Sequence, residues 1–166
     1  MYKKFSYDYK TGRTKGMRAI VQRVTKARVV SNGKLTGEIG KGILVLAGFE
    51  EGDTLQDLEW MAKKIVSLRV FSDERGLMNL SALDVNGGIL VVSQFTLFAS
   101  YKKGNRPSFT KAAKPETAIP LYENFIRNLS KYLGREVATG VFGAHMEVEL
   151  VNEGPVTVYM DSKNPE

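Results

Sequence analysis

Cysteine is absent from the 166 residues, and histidine occurs once, at His145. Without cysteine, disulfides, thiolate nucleophiles and cysteine-ligated zinc are excluded. One histidine rules out a metal site built from several imidazoles and leaves a single possible triad base, which we interpret as a solvated residue on a strand. Because a chain without disulfides is typical of a reducing compartment, we expect a cytoplasmic protein.

Long apolar runs are also missing. No stretch approaches the roughly 18–20 consecutive apolar residues of a membrane span, so we expect no membrane partner. No G-x-G-x-x-G motif follows a strand-like run, and the VNGG sequence at 85–88 is typical of a turn. We therefore expect neither a metal nor a cofactor.

The net charge of +6 is concentrated at the N-terminus, where residues 1–16 carry five Lys and Arg against one Asp. With 43% hydrophobic and 25% charged residues, the remainder has the composition of an ordinary globular domain. We interpret residues 1–16 as a flexible N-terminal extension before a single domain at 17–166. A basic arm that grips nucleic acid is the alternative.

Hydrophobic periodicity predicts a sheet-rich α+β domain with two main helices. Asp53 with Gln56 fits a helix-capping pattern before the first apolar helical stripe. The second helix has Pro115 in its first turn and Gly134 at its end, and Pro120 leaves its start open. The predicted strands cover 18–24, 27–31, 35–39, 43–49, 69–72, 88–95, 136–139, 145–152 and 155–161.

Small polar residues in SQFTLF, at 93–98, interrupt the apolar run ILVVSQFTLF at 89–98. Strand alternation predicts that Ser93 and Phe95 share one face and that Gln94 and Thr96 share the other. Polar groups at the end of a buried strand either bond within the sheet or line a cavity, and the pattern leaves both open.

A basic stretch at 99–115 follows directly. It contains five cations, no acidic residue, and the aromatic residues Tyr101 and Phe109; the cations are Lys102, Lys103, Arg106, Lys111 and Lys114. Cations neutralise phosphates, and aromatic rings stack on unpaired bases. The stretch is either a solvated loop or a site for an anionic ligand, and its place after a strand end favours RNA or a nucleotide.

The sequence NEGPVT at 152–157 joins two predicted strands through Gly154 and Pro155. From the local pattern alone, this pair is a hairpin turn, since a Pro can begin a strand. Together with SQFTLF, it could instead border a pocket of backbone and hydroxyl groups.

From Met17 onward the chain resembles the D-aminoacyl-tRNA deacylases, also called D-tyrosyl-tRNA deacylases. The stretches that carry the resemblance are MRAIVQRVTKARV, SQFTLF, NRPSFTKAA and LVNEGPVT, in this order over most of the chain. SQFTL together with NxGPxT is specific, whereas either motif alone is not.

The resemblance implies β/β/α layers, mostly antiparallel sheets and a homodimer with active sites at the subunit interface. It implies hydrolysis of the ester of D-aminoacyl-tRNA at the 3′-terminal adenosine, and of mischarged glycyl-tRNA, as translation quality control. Gly154 and Pro155 would form a cis pair that projects into the partner's pocket and rejects L-amino acids sterically. Arg23, in VQRV, would brace this pair.

The implied residues fall into three groups. The catalytic segment is Ser93, Gln94, the backbone of Phe95, and Thr96. The substrate-binding residues are Gly154, Pro155, Arg23, Arg106, Pro107, Ser108 and Phe109. The tRNA-binding residues are Lys102, Lys103 and Lys111.

Two mechanisms stay open. Thr96 could attack as a nucleophile, although the sequence supplies no evident base. Alternatively, the ribose hydroxyl of the tRNA could help to activate water while backbone N–H groups near Phe95 and Thr96 stabilise the oxyanion. A noncatalytic tRNA- or DNA-binding module and a purely structural domain are the rival classes.

Overall fold

Strand β3 (Arg18–Ser31) pairs with three other strands and organises the main sheet. The computed structural model describes Tyr7–Asp8, Arg13–Thr14 and residues 16–166. Tyr7–Asp8 and Arg13–Thr14 are β1 and β2, which form a two-stranded antiparallel ladder. The predicted flexibility of residues 1–16 falls largely outside the described residues and stays a prediction.

The remaining strands are β4 (Lys34–Ile39), β5 (Gly42–Gly48), β6 (Phe71–Ser72), β7 (Met78–Leu80), β8 (Gly88–Ser93), β9 (Ala138–Thr139) and β10 (Glu147–Asp161). The main sheet has the order β10-β3-β5-β8-β9, with β4 also paired to β3. The β5–β8 and β8–β9 pairs are parallel, and the other ladders of the described residues are antiparallel. β6 and β7 form a separate small hairpin.

Apart from Ser93 at the end of β8, the two central parallel strands are apolar because both of their faces are buried. Ile43 and Val45 of β5 face the larger core, which contains the buried sides of both helices. Leu44 of β5 and Leu90 of β8 face a second, smaller cluster on the other side of the sheet.

The sheet curls around this smaller cluster, so that β4 approaches β9. A Cβ placed on Gly37 would lie 2.5 Å from the carbonyl oxygen of Thr139, a distance that no side chain tolerates. Glycine is therefore required where the two backbones come close.

Helix α1 (Leu55–Ser67) begins one residue later than the sequence pattern predicts. Thr54 is the N-cap: its hydroxyl accepts from the N–H of Asp57, and the Asp57 carboxylate accepts from the N–H of Thr54 at 2.8 Å. The predicted box of Asp53 with Gln56 is therefore wrong. Asp53 instead accepts from the N–H of Glu50 at 2.8 Å and closes the turn before the helix.

Helix α2 (Pro115–Leu133) contains Pro120 without a break. Pro120 is exposed, so the carbonyl that it deprives of a hydrogen bond, on Glu116, can bond water. As predicted, Gly134 ends the helix in the left-handed conformation, with φ of 80°. The apolar stripe of α2 packs with that of α1 on the larger core.

The predicted α+β class, sheet-rich with two main helices, is confirmed. Several strand predictions are wrong in extent. The strands predicted at 18–24 and 27–31 are one continuous strand, β3. The strand predicted at 88–95 ends at Ser93, and Phe95–Phe98 form a 3₁₀ helix. The strands predicted at 145–152 and 155–161 are one continuous strand, β10, so Gly154 and Pro155 are not a hairpin turn. None of the helices described here is long and apolar enough to cross a membrane.

Candidate active site

The segment SQFTLF leaves the sheet where β8 ends. The N–H of Gln94 still bonds the Ala47 carbonyl of β5 at 2.7 Å, and the next four residues turn into the 3₁₀ helix. A Cβ on Gly48 would lie 2.7 Å from the Gln94 carbonyl oxygen, so glycine permits this close passage. The predicted alternation of Ser93 and Phe95 against Gln94 and Thr96 is therefore wrong, because the extended conformation ends here.

Arg18 holds the end of the 3₁₀ helix. Its guanidinium donates to the Leu97 carbonyl at 2.9 Å and lies 4.5 Å from the centre of the Phe98 ring. Asp161, at the end of β10, lies 3.6 Å from the same guanidinium and is buried. The position of the SQFTLF segment is thus fixed from both ends of the chain.

A cavity of about 560 Å³ opens beside this segment. It is lined by the ends of β5 and β8, the start of the 3₁₀ helix, the approach to α2, and the segment before β10. Its size falls in the range of small-molecule sites, and its walls are mostly apolar. Ser93 and Gln94 are among the few polar residues in its lining.

Aromatic rings pack beside the cavity. Tyr122 of α2 contacts Phe49 and Phe142, which line the cavity, with ring centroids 6.4 and 5.5 Å apart. Burial raises the pKa of Tyr122 to about 12, so the phenol stays protonated and donates to the Val91 carbonyl at 3.4 Å. This packing gives the cavity a rigid side.

The side chains of Gln94 and Thr96 bond to each other. The amide of Gln94 donates to the hydroxyl oxygen of Thr96, and both lie at the start of the 3₁₀ helix. An amide is not a base at neutral pH, so this partner does not activate the threonine for attack. It occupies one of the two lone pairs of the hydroxyl oxygen.

The basic stretch forms an exposed loop at the edge of the cavity. Ser100 and Ser108 bridge its base through two backbone bonds of 2.7 and 2.8 Å. Phe109 lines the cavity, and its ring meets that of Phe95 edge to face at 5.1 Å. Residues outside the cavity lining but exposed on this loop are Lys102, Lys103, Arg106, Pro107 and Lys111.

Gly154 and Pro155 lie in a bulge of β10, and their peptide bond is cis. Asn152 pairs with Val24 and Thr157 with Gln22, so the four residues 153–156 lie opposite Arg23 alone. The bulge projects from the strand, and both Gly154 and Pro155 are exposed.

Arg23 contacts this bulge directly. Its guanidinium donates to the Glu153 carbonyl at 3.1 Å and to the Val70 carbonyl at 2.7 Å, and it lies 3.6 Å from the Glu153 carboxylate. The side-chain amide of Asn152 donates to the carbonyls of Arg23 and Val156, at 3.0 and 2.9 Å. The bulge is therefore held by hydrogen bonds from both sides.

The structure brings together only part of the expected site. Ser93, Gln94, Phe95 and Phe109 line the cavity. Thr96 neighbours it through its bond to Gln94, and Ser108 lies at the base of the loop. Gly154, Pro155 and Arg23 are not among the lining residues of this chain.

Two walls of the cavity contain residues that the sequence analysis did not assign to the site. One is the alanine-rich approach to α2, which includes Ala112, Ala113 and Ala118, and the other is the segment 142–146. His145 is exposed, as expected, but it precedes β10 and lines the cavity instead of standing on the strand. Within the described part of the chain, no three His, Asp or Glu side chains are grouped so as to hold a metal ion.

This architecture is shared with solved structures. A c-Myc DNA unwinding element binding protein matches with a TM-score of 0.81 and 44% identity, over 86% of this chain and 97% of that one. A probable eukaryotic D-amino acid tRNA deacylase matches with a TM-score of 0.77 over 88% and 99%, and at 18% identity this likeness concerns the fold alone.

Sequence comparison assigns the family. The family model described as D-Tyr-tRNA(Tyr) deacylase matches residues 20–161. The D-aminoacyl-tRNA deacylases of Bacteroides thetaiotaomicron and Flavobacterium johnsoniae are 59% and 57% identical over 150 residues, which are 90% of this chain and all of each relative. The chain belongs to the D-aminoacyl-tRNA deacylase family, a class of hydrolases.

Proposed function

We propose that this protein hydrolyses the ester between a D-amino acid and the 3′-terminal ribose of tRNA, as a step of translation quality control. The observation that carries the proposal is the cavity beside SQFTLF, which combines mostly apolar walls with the polar groups of Ser93 and Gln94. The D-aminoacyl-tRNA deacylase family, to which the chain belongs, indicates the class of reaction, which is hydrolysis of an aminoacyl ester. An aminoacyl ester is already activated, so positioning and oxyanion stabilisation suffice without a metal or cofactor.

The backbone of Phe95 and Thr96 supplies the oxyanion site. The first N–H groups of a helix have no acceptor within that helix, and these two residues begin the 3₁₀ helix at the cavity. The N–H of Leu97 is already bonded to the Gln94 carbonyl at 3.3 Å. Water, helped by the neighbouring hydroxyl of the tRNA ribose, then attacks the ester carbonyl.

Thr96 is not the nucleophile in this proposal, since the partner of its hydroxyl is the Gln94 amide, which is not a base. We therefore expect Thr96→Ala to retain kcat within about tenfold of the wild type, as for loss of one auxiliary hydrogen bond. Single-turnover deacylation of D-Tyr-tRNA measures this. A loss of about a thousandfold in kcat with unchanged tRNA binding would instead assign Thr96 as the nucleophile.

Gly154 and Pro155 form the chirality filter, and a second copy of the chain delivers them. They project on an exposed bulge and do not line their own chain's cavity, so an exchange between two subunits brings them to the substrate. Backbone carbonyls of the bulge bind the α-ammonium group, and the rigid bulge leaves no space for a side chain in the L position. Arg23 fixes the bulge through Glu153.

The exchange between subunits can be tested by complementation. Gly154→Ala damages the filter, and Ala112→Phe fills the cavity; each homodimer should be inactive. A heterodimer of the two variants contains one site with an intact filter and an intact cavity, so mixing after unfolding and refolding should restore activity. If the mixture stays inactive while light scattering detects dimers, the filter does not come from the partner.

The loop residues bind the nucleotide end of the substrate. Phe109 offers a ring at the cavity for the terminal adenosine, with Arg106, Pro107 and Ser108 beside it. Lys102, Lys103 and Lys111 are exposed and bind phosphates of the acceptor stem. Lys102→Glu with Lys103→Glu should weaken tRNA binding and reduce its salt dependence. An unchanged affinity over a salt titration would remove the loop from the interface.

The proposed activity is tested by incubating the protein with D-Tyr-tRNA, L-Tyr-tRNA and Gly-tRNA in the presence of EDTA. We expect rapid hydrolysis of the D ester, slower hydrolysis of the glycyl ester, which has no side chain to reject, and none of the L ester. Hydrolysis of D and L esters at equal rates contradicts the filter. The cytoplasmic location expected from the composition stays a prediction.

A noncatalytic nucleic-acid-binding module is the second candidate. The exposed cationic loop favours it, as does the 44% identical solved relative that is described as a DNA-binding protein. This candidate predicts tRNA or DNA binding without turnover in the same assay, and it predicts that Gly154→Ala leaves binding unchanged.

A further inference from the structure

The turn between β5 and α1 is rigid and holds Glu51 toward α2. The N–H of Asp53 donates to the Glu50 carbonyl at 3.1 Å, and the Asp53 carboxylate accepts from the N–H of Glu50 at 2.8 Å. Gly52 has φ of 95°, which lets the chain turn within four residues. The capping box of Thr54 and Asp57 follows at once, so the turn is continuous with a helix end.

Helix α2 has no cap of its own. Its N-cap residue, Lys114, offers no side-chain acceptor to the first turn. The carboxylate of Glu51 instead bonds the start of the helix from outside, through the N–H of the N-cap residue itself and a side-chain hydroxyl of the first turn. It accepts from the Lys114 N–H at 3.1 Å and from the Thr117 hydroxyl at 3.2 Å. A carboxylate at this end of a helix also interacts favourably with the helix dipole.

The residues around this cap form a wall of the cavity. Ala112, Ala113, Pro115 and Ala118 all line it. The N–H of Ala113 donates to the Phe49 carbonyl at 2.9 Å, so the same turn holds the wall through the backbone as well. The shape of this side of the cavity therefore depends on where the turn places α2.

We propose that Glu51 is a positioning residue for the substrate: it caps α2 from the neighbouring turn and thereby sets the alanine wall against which the aminoacyl-adenosine end binds. The inference rests on the proposed function. Glu51 is exposed and is absent from the cavity lining, so it acts through the wall and not by contact with substrate. Its loss should weaken substrate binding more than it slows the chemical step at the 3₁₀ helix.

The test compares Glu51→Ala, Glu51→Gln and Thr117→Val in steady-state deacylation of D-Tyr-tRNA. Glu51→Ala should raise KM about fivefold, the size expected for loss of one cap, with kcat within about twofold. Glu51→Gln should restore KM, because its amide oxygen can accept from Lys114 and its amide nitrogen can donate to the Thr117 hydroxyl. Combining Glu51→Ala with Thr117→Val should add little to Glu51→Ala alone, since both act through one cap.

Glu116→Ala is the matched control. It removes an exposed acidic residue from the first turn of the same helix and leaves the Glu51 cap intact, so KM should not change. Amide hydrogen exchange over residues 112–118 gives a readout without turnover. It should be faster in Glu51→Ala and near the wild-type rate in Glu51→Gln.

The outcomes separate the two proposals. A wild type that does not hydrolyse D-Tyr-tRNA contradicts the proposed function, whatever the variants do. An active wild type with unchanged KM in Glu51→Ala, or with a fall in kcat alone, overturns the role of Glu51. If Glu51→Ala does not fold, Thr117→Val removes only one of the two bonds and carries the same test.

Discussion

Replacing Gly154 by alanine should lower kcat/KM for D-Tyr-tRNA by at least about a hundredfold, the cost of moving a positioning group by about 1 Å. Gly154 has φ of 129°, a conformation that L residues rarely adopt. The added Cβ would lie 2.8 Å from Cγ2 of Val156 and 3.0 Å from a guanidinium nitrogen of Arg23. Either the bulge or Arg23 must move, so the filter loses its shape. Single-turnover deacylation measures the effect.

Gly33→Ala is the matched control for this variant. Gly33 also has a positive φ, of 73°, but it lies in the turn after β3, and a Cβ there would meet nothing within 4 Å. The control variant has the same kind of backbone strain, but its new Cβ makes no steric contact. Deacylation should therefore be unchanged, while Tm should fall slightly. Equal losses in the two variants would assign the effect to strain alone. Full activity of Gly154→Ala would exclude the bulge from the site.

The free energy of unfolding should fall between about pH 4 and pH 7 because of Asp53. The pKa of this carboxyl is raised from 3.8 to about 7, chiefly by burial and also by the charges of Asp57 and Glu50, although the N–H of Glu50 and the charge of Lys163 act to lower it. The folded state therefore binds a proton that the unfolded state has already released. The resulting loss of stability reaches at most about 4 kcal/mol by linkage.

Asp53→Asn removes this titration and keeps an oxygen that can accept from Glu50. Urea unfolding at pH 5 and pH 8 should therefore show that the free energy of unfolding of the variant increases relative to that of the wild type as pH rises. Asp73→Asn is the control of opposite sign, because the N–H of Leu77 lowers the pKa of that carboxyl. It should be less stable than the wild type at pH 8. A stability difference for Asp53→Asn that does not change with pH would contradict the shift.

Periodicity predicted most of the fold because most elements are decided by their own apolar pattern. The alternation of β3 and the stripes of both helices match their buried faces, and Gly134 ends α2 where the left-handed conformation is needed. The predictions failed where residues distant in sequence determine the local structure. β10 stays one strand through Gly154 because Arg23 and Asn152 close its bulge, and Arg23 precedes Glu153 by 130 positions. Local rules for a Gly-Pro pair favour a turn, because they do not take account of a distant residue such as Arg23.

The site was predicted in part for a related reason. SQFTLF and Gly154 stand out because polar or special residues interrupt apolar strands. The wall at Ala112–Ala118 is made largely of small apolar side chains, and the wall at 142–146 combines apolar side chains with one exposed histidine; neither pattern is distinctive in a sequence. The role of Glu51 could not be predicted either, because exposed acidic residues are common in turns. Only the structure shows that its carboxylate accepts a hydrogen bond from the N–H of Lys114.

The pairing of β3 with β10 ties the beginning of the domain to its end and has a consequence for biosynthesis. Arg23 is synthesised 130 residues before the Glu153 carbonyl that it binds. A nascent chain that has not yet reached Glu153 already contains both helices and the central parallel strands, but it cannot form the bulge. The proposed filter therefore cannot form before residue 153 has been synthesised, so its assembly is a late event relative to that of β3.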